Sequence, residues 1–197
     1  MSKKSIKIAL AGNPNSGKTT LFNAFTGLKQ KVGNYPGITV EKKSGRTELS
    51  NEFSADVIDL PGTYSLFPKS MDEQVAQQVL CNNTDEDYPD VTVIIADATN
   101  LRRSIFLLTQ VIDLNMNVVL ALNMVDIATQ KGILVNVNLL SQELGIQVVA
   151  INARKRKGIE SLKEAIINTI AAKPKKPFLD VNKIFQVVIE KANLIRG

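Results

Sequence analysis

The sequence predicts an α/β domain built on a mostly parallel, six-stranded sheet with helices on both faces. Short apolar runs rich in β-formers alternate with segments of helical periodicity, the pattern of strand–helix–strand units. Two runs, 91–96 and 118–122, are almost continuously apolar, as strands covered on both faces must be. Turn-rich segments follow the carboxyl ends of several runs, where open parallel sheets place their ligands.

Ile6 to Ala11 is the first strand, interrupted only by Lys7 and ended by a glycine-containing turn. A helix follows from Lys18 to Phe25 and is stopped by Gly27. Residues 30–38 lack periodicity and hold Gly33, Pro36 and Gly37, so they read as a mobile loop. Thr39–Leu49 and Phe53–Leu60 read as a hairpin around the polar Ser50, Asn51 and Glu52, adding one antiparallel edge strand. Helices are expected over 71–80, 101–114, 138–144 and 159–170, and a last strand over 147–151. Residues 1–172 form one domain in this reading, and the Lys/Pro-rich 173–179 is a linker. From Asp180, a helix cap, Val181, Ile184, Phe185, Val188, Ile189 and Ala192 recur at helical spacing. Residues 180–197 therefore read either as a helix folding back on the main domain or as the truncated start of a second, helical one.

Composition narrows the chemistry. The chain has no histidine, which excludes imidazole bases, Ser–His nucleophiles and His-bound metals. A single cysteine, Cys81, excludes an internal disulfide and fits a reducing compartment. The net charge of +5 favours an anionic partner without naming it. The first residues are too short an apolar run for a signal peptide, and nothing approaches the roughly 20 apolar residues of a membrane span, so the chain as given reads as soluble.

The segment Gly12-Asn13-Pro14-Asn15-Ser16-Gly17-Lys18-Thr19 matches the phosphate-loop pattern GxxxxGK[ST], with the strand before and helix after that the motif requires. Its glycines let successive N–H groups face phosphate oxygens, Lys18 supplies a point charge, and Thr19, followed by Thr20, offers a hydroxyl to Mg²⁺. Asp59-Leu60-Pro61-Gly62 closes a strand; its carboxylate suits a magnesium shell and the Gly62 N–H a γ-phosphate. Asn123-Met124-Val125-Asp126 follows another strand. The Asp126 carboxylate can accept from the N1–H and 2-amino group of guanine, a donor pair adenine lacks. Asn123 braces that pocket, and Met124 stands where the usual pattern has a lysine whose stem covers the base. Asn152-Ala153-Arg154 follows the last strand, where a backbone N–H commonly meets the guanine carbonyl; a plain loop is an equal reading. Thr39 is the candidate switch threonine, able to close on Mg²⁺ and the γ-phosphate. Thr63, after the DxxG motif, is too short to orient an attacking water as a glutamine does, so hydrolysis should be slow or need an added group. Asn15 puts an amide oxygen in the phosphate loop, where a monovalent cation could bridge the phosphates; tolerance of the loop's backbone angles is the other reading. Each short motif alone matches by chance; the ordered series is specific.

The phosphate loop, then Asn34-Tyr35-Pro36-Gly37-Ile38-Thr39-Val40-Glu41, then Asp59-Leu60-Pro61-Gly62-Thr63-Tyr64-Ser65-Leu66, then Asn123-Met124-Val125-Asp126 resemble the ferrous iron transport protein B family in its cytosolic N-terminal G domain. The resemblance spans about residues 6–170. It implies a Ras-like P-loop NTPase fold, GTP and GDP as ligands, Mg²⁺ at Thr19, Thr39 and Asp59, and K⁺-stimulated hydrolysis. Asn15 matches the cation-coordinating asparagine, with the Gly33 and Tyr35 carbonyls enclosing the ion. Asn15, Lys18, Thr39 and Gly62 take the catalytic roles. The resemblance also implies a transmembrane iron permease in the same full-length protein, at the cytoplasmic face of the inner membrane. Small accessory proteins and a homo-oligomer are further implied partners, and the 180–197 segment matches the start of a helical, GDI-like domain. Two competing readings remain: a soluble GTPase of ribosome or tRNA maturation, favoured by the basic run Arg154-Lys155-Arg156-Lys157, and an interaction switch with little turnover, favoured by Thr63. No RNA-binding motif or aromatic platform is present, and no nucleic acid partner is expected.

Overall fold

The computed structural model describes residues 3–27, 30–35 and 37–172. The expected linker and C-terminal helix at 173–197 lie outside the described residues. The elements run β1 (Lys4–Gly12), α1 (Lys18–Thr26), β2 (Gln30–Asn34), β3 (Glu41–Glu48), β4 (Phe53–Asp59), α2 (Met71–Cys81), β5 (Val91–Asp97), a 3₁₀ turn (Ala98–Asn100), α3 (Leu101–Asp113), β6 (Val118–Asn123), α4 (Val125–Gln130), α5 (Val137–Leu144), β7 (Gln147–Ala150) and α6 (Ile159–Ala171).

One seven-stranded sheet takes the order β2-β3-β4-β1-β5-β6-β7. Every neighbouring pair from β4 through β1, β5 and β6 to β7 is parallel, whereas β3 is antiparallel to both β2 and β4. β3 alone therefore runs against the rest, and it lies one place in from the edge. The expected α/β class holds, but the sheet has seven strands, not six. The additional strand is β2, in a segment read as loop. Gln30–Asn34 is exposed at every position. It is held by backbone pairing to β3, from Gln30 opposite Gly45 to Asn34 opposite Glu41, and an all-exposed strand carries no apolar alternation.

The period of two in β1 divides the core. Ile6, Ile8 and Leu10 face a layer shared with Leu21, Phe22 and Phe25 of α1 and with Ile159, Leu162 and Ile166 of α6. Ala9 and Ala11 face the other layer, where Val75, Val79 and Leu80 of α2 meet Leu107, Leu108, Val111 and Ile112 of α3. β6 is buried along its whole length, which explains its unbroken apolar run. In α3 the buried positions Ser104, Leu107, Leu108, Val111 and Ile112 form one stripe at helical spacing.

The expected hairpin is present: the Ser50 hydroxyl accepts from the N–H groups of Glu52 and Phe53, at 3.1 Å each. α4 was not expected. At six residues it is too short to show a period, and it starts on Met124, whose left-handed φ of 61° turns the chain out of β6. Because these strands are parallel, the carboxyl ends of β1, β4, β6 and β7 lie together at one end of the sheet's strands.

Candidate functional site

The phosphate-loop segment leaves β1 and winds into α1. Asn15 and Gly17 have φ of 66° and 93°, the left-handed region open to asparagine and glycine. Gly17 opens α1, which has no side-chain cap and no acidic residue in its first turn. The positive end of that helix is thus not neutralised from within, a favourable seat for an anion. Asn13, Pro14, Asn15, Gly17, Lys18, Thr19 and Thr20 line an open cleft of about 680 Å³ together with Pro61, Gly62, Asp72 and Met124. Ser16 lies beneath it, buried, and neither its hydroxyl nor the Asn13 side-chain oxygen has a partner among the described residues.

Two side chains of α1 converge on the end of β4. Lys18 Nζ lies 2.5 Å from Asp59 Oδ1, and the Thr19 hydroxyl donates to Asp59 Oδ2 at 3.1 Å. Both members of the ion pair are largely buried, 11% and 4% exposed in their side chains. A hydroxyl beside a carboxylate is an all-oxygen donor set, suited to a hard divalent cation. Gly62 packs so closely on the phosphate-loop segment that an added Cβ would sit 3.1 Å from the Pro14 backbone nitrogen. The next residue, Thr63, is fully buried, and its N–H donates to the Gly12 carbonyl at 3.1 Å. Its hydroxyl donates to the Ser65 carbonyl at 2.7 Å, so it is committed to a local turn.

Asn123 is the hub of the far side. Its amide donates to the Ser16 carbonyl at 3.0 Å, and its oxygen accepts from the Ala153 N–H at 3.2 Å. One buried side chain therefore joins the phosphate-loop segment to the loop after β7. Of the backbone N–H groups in the stretch Asn152–Arg154, where one was expected to meet a base or else a plain loop to stand, that of Ala153 is spent on this brace. Asp126 Oδ2 accepts from Asn152 Nδ2 at 2.8 Å and from Lys155 Nζ at 3.3 Å, and Oδ1 accepts from the Ile127 N–H at 3.1 Å. Desolvation pulls the Asp126 carboxyl upward. The Lys155 hydrogen bond, the Ile127 N–H and the Lys155 charge outweigh it and hold the group below the usual carboxylate range. Arg154 is exposed.

The expected switch residues are not brought to the cleft. Gly33 lies in β2 opposite Lys42. Tyr35 is buried against Ile38, Val75 and Val79, and its carbonyl accepts from the Ile38 N–H at 3.3 Å. Thr39 is exposed just ahead of β3, and none of the three lines the cleft. Burial pushes the Tyr35 phenol well up, with the charges of Asp87, Asp59 and Asp85 acting the same way. Its hydroxyl has no partner among the described residues.

Sequence reasoning missed three features here. Lys155 was part of the basic run that favoured an RNA-directed reading, yet it pairs with Asp126 at 3.3 Å. Arg156 belongs to the same run and donates to the Ala24 carbonyl of α1 at 2.7 Å. Asp72, at the start of α2, joins the cleft. Two of the four residues in that basic run are thus paired within the molecule, Lys155 with Asp126 and Arg156 with the Ala24 carbonyl.

Comparison with known proteins places this geometry. The profile of the ferrous iron transport protein B family matches residues 6–166. The Fe(2+) transporter FeoB of Salmonella typhimurium is 42% identical over 163 residues, covering 83% of this chain and 21% of that protein. The chain thus spans about a fifth of the length of the curated relatives it matches. The crystal structure of the G domain of the T. maritima FeoB iron transporter shares 40% identity at a TM-score of 0.77, over 84% of this chain and 99% of that one. The cytosolic domain of the same transporter in its GMPPNP form shares 39% identity at a TM-score of 0.82, over 89% of this chain and 68% of that one.

Proposed function

The chain belongs to the ferrous iron transport protein B family, and from that premise we propose that it is the GTP-binding and GTP-hydrolysing domain of a membrane ferrous iron transporter. The observation that carries the proposal is the Asn123 brace, which ties an anion-receptive phosphate loop to the loop after β7, whose Asn152 in turn donates to the Asp126 carboxylate. Those two features are what a guanine nucleotide needs at its two ends, and the T. maritima relative has a GMPPNP form.

In this reading the N–H groups at the start of α1 and Lys18 hold the β- and γ-phosphates. Lys18 must leave Asp59 to do so, and Asp59 with Thr19 is thereby released for Mg²⁺. Bound there, Mg²⁺ supplies positive charge against the phosphate oxygens. Asp126 reads the guanine edge while Met124 covers the ring from the phosphate-loop side. The Thr63 hydroxyl is occupied, so orientation of the attacking water falls to backbone groups near Gly62 and turnover depends on extra positive charge. Asn15, left-handed and in the cleft, is the potassium ligand in this proposal, with the Gly33 and Tyr35 carbonyls. Those two lie in a strand and a turn here, so they reach Asn15 only after residues 33–39 detach, a motion that also carries Thr39 inward. In this proposal residues 1–172 make the catalytic unit. Nucleotide state then governs Fe(II) passage in the rest of the full-length protein, at the cytoplasmic membrane face. Among the described residues no helix is long and apolar enough to cross a membrane, and no cluster of three or more Cys, Asp or Glu suits a metal.

The test is steady-state GTP hydrolysis with Mg²⁺ in potassium and in sodium buffer of equal ionic strength, for the native chain and Asn15→Ala. Potassium stimulation lost in the variant supports the mechanism; equal rates in both salts remove the cation role. Negligible turnover in both would favour the interaction switch, the reading that the occupied Thr63 hydroxyl supports. Asp126→Ala should abolish preference for GTP over ATP, and unchanged discrimination would overturn the base assignment.

A further inference from the structure

Resting on that guanine-site reading, we propose that Lys155 is an intramolecular stand-in for the base: it pairs with Asp126, must yield when guanine binds, and so lowers affinity and speeds release.

A carboxylate has about four acceptor positions, two on each oxygen. Oδ1 of Asp126 already takes the Ile127 N–H, and Oδ2 takes both Asn152 and Lys155. Guanine brings two further donors, N1–H and the 2-amino group, directed at the two oxygens. Oδ2 has no free position, so one of its partners must give way. Asn152 is the fixed one: its amide oxygen accepts the Lys155 N–H at 2.9 Å while its amide nitrogen donates to Asp126 at 2.8 Å. Lys155 is the loose one, with the longer contact of 3.3 Å and a side chain 63% exposed.

The loop that delivers Lys155 is built rather than floppy. Asn152 and Lys157 exchange backbone hydrogen bonds at 3.0 and 3.1 Å, closing the loop at its base. Arg156, at a left-handed φ of 54°, anchors it to the Ala24 carbonyl at 2.7 Å. Lys155 is therefore held within reach of Asp126 whether or not a base is present.

An inosine nucleotide lacks the 2-amino group and needs only one oxygen of Asp126, so Lys155 can stay in place. The competition thus falls on guanine and spares hypoxanthine. The experiment measures affinity and release rate of ribose-labelled fluorescent GDP and IDP for the native chain, Lys155→Met and Lys155→Arg. An exposed ion pair sets the scale, so Lys155→Met should bind GDP about 2- to 5-fold tighter, mainly through slower release. IDP affinity should stay constant, and Lys155→Arg should behave as the native chain. Weaker GDP binding by Lys155→Met would overturn the proposal by making Lys155 a base-covering group, and unchanged GDP binding would overturn it too. Asp126→Ala separates the two levels. Lost guanine preference in that variant, with Lys155→Met unaltered, rejects the stand-in alone; retained preference rejects the guanine site itself.

Discussion

Alanine at Gly17 tests the joint between the phosphate loop and the base side. Gly17 has φ of 93°, and a Cβ built there would lie 2.3 Å from Asn123 Nδ2. The backbone contribution is about 1–2 kcal/mol, the cost of a side chain in the left-handed region. The clash adds to it by expelling Asn123, which breaks the bond to the Ser16 carbonyl and the one from the Ala153 N–H. Each loss leaves a buried polar group unsatisfied at about 1 kcal/mol or more. The sum is about 3–5 kcal/mol, a large share of the roughly 5–15 kcal/mol that stabilises a typical domain. Two controls divide the terms. Gly132 has φ of 76° and nothing within 4 Å of an added Cβ, so Gly132→Ala carries strain alone. Gly33 has open space and no positive φ, so Gly33→Ala should be neutral or stabilising by under about 1 kcal/mol. The assay is urea denaturation followed by circular dichroism, since the chain has no tryptophan, with fluorescent GDP binding as the second readout. A Gly17→Ala protein no less stable than Gly132→Ala would refute the Asn123 joint.

The remaining predictions address the other buried polar groups. Lys18→Ala should destabilise the nucleotide-free protein by about 3 kcal/mol, because it strands the buried Asp59 carboxylate; Lys18→Met with Asp59→Leu should recover much of the loss in the same urea assay. Tyr35→Phe should stabilise the fold by about 1 kcal/mol, since it removes a buried hydroxyl that has no partner among the described residues, and an equal loss instead would mean the hydroxyl is satisfied. For Asp126, whose folded pKa is depressed, the contribution to stability is complete above an unfolded value of about 3.9 and is lost as pH falls through the lower folded value. A carboxyl-detected NMR titration should therefore place its midpoint below the ordinary range, and Lys155→Met should move that midpoint upward.

Much of this was legible because the chemistry needs fixed residue types at fixed spacings. The run from Gly12 to Thr19, the strand ending in Asp59 and the pair Asn123 and Asp126 all stand at strand ends, as the alternation of apolar runs required. β2 was not legible, because a strand held only by its backbone leaves no mark on which residues are apolar. α4 was hidden by its six-residue length and its unusual start on a left-handed methionine. The pairing of Lys155 and Arg156 was not legible because their partners, Asp126 and the Ala24 carbonyl, are 29 and 132 residues away in sequence. Tyr35 was read only for its backbone carbonyl, whereas its ring is buried and lies under Lys42 Nζ at 5.6 Å.

The arrangement of residues 30–40 fixes where this molecule can move cheaply. Among the described residues of that stretch, Tyr35 alone is buried. Peeling β2 from β3 exposes no core; it trades edge hydrogen bonds for bonds to water, at little net cost. The described part of the segment is therefore fastened by its apolar side chains rather than by β2: the buried Tyr35 ring sets most of the force needed to open it, with Ile38 and Val40 packed against the same core. Substitutions along β2 should leave the opening equilibrium almost untouched, whereas a change of ring size or polarity at position 35 resets it.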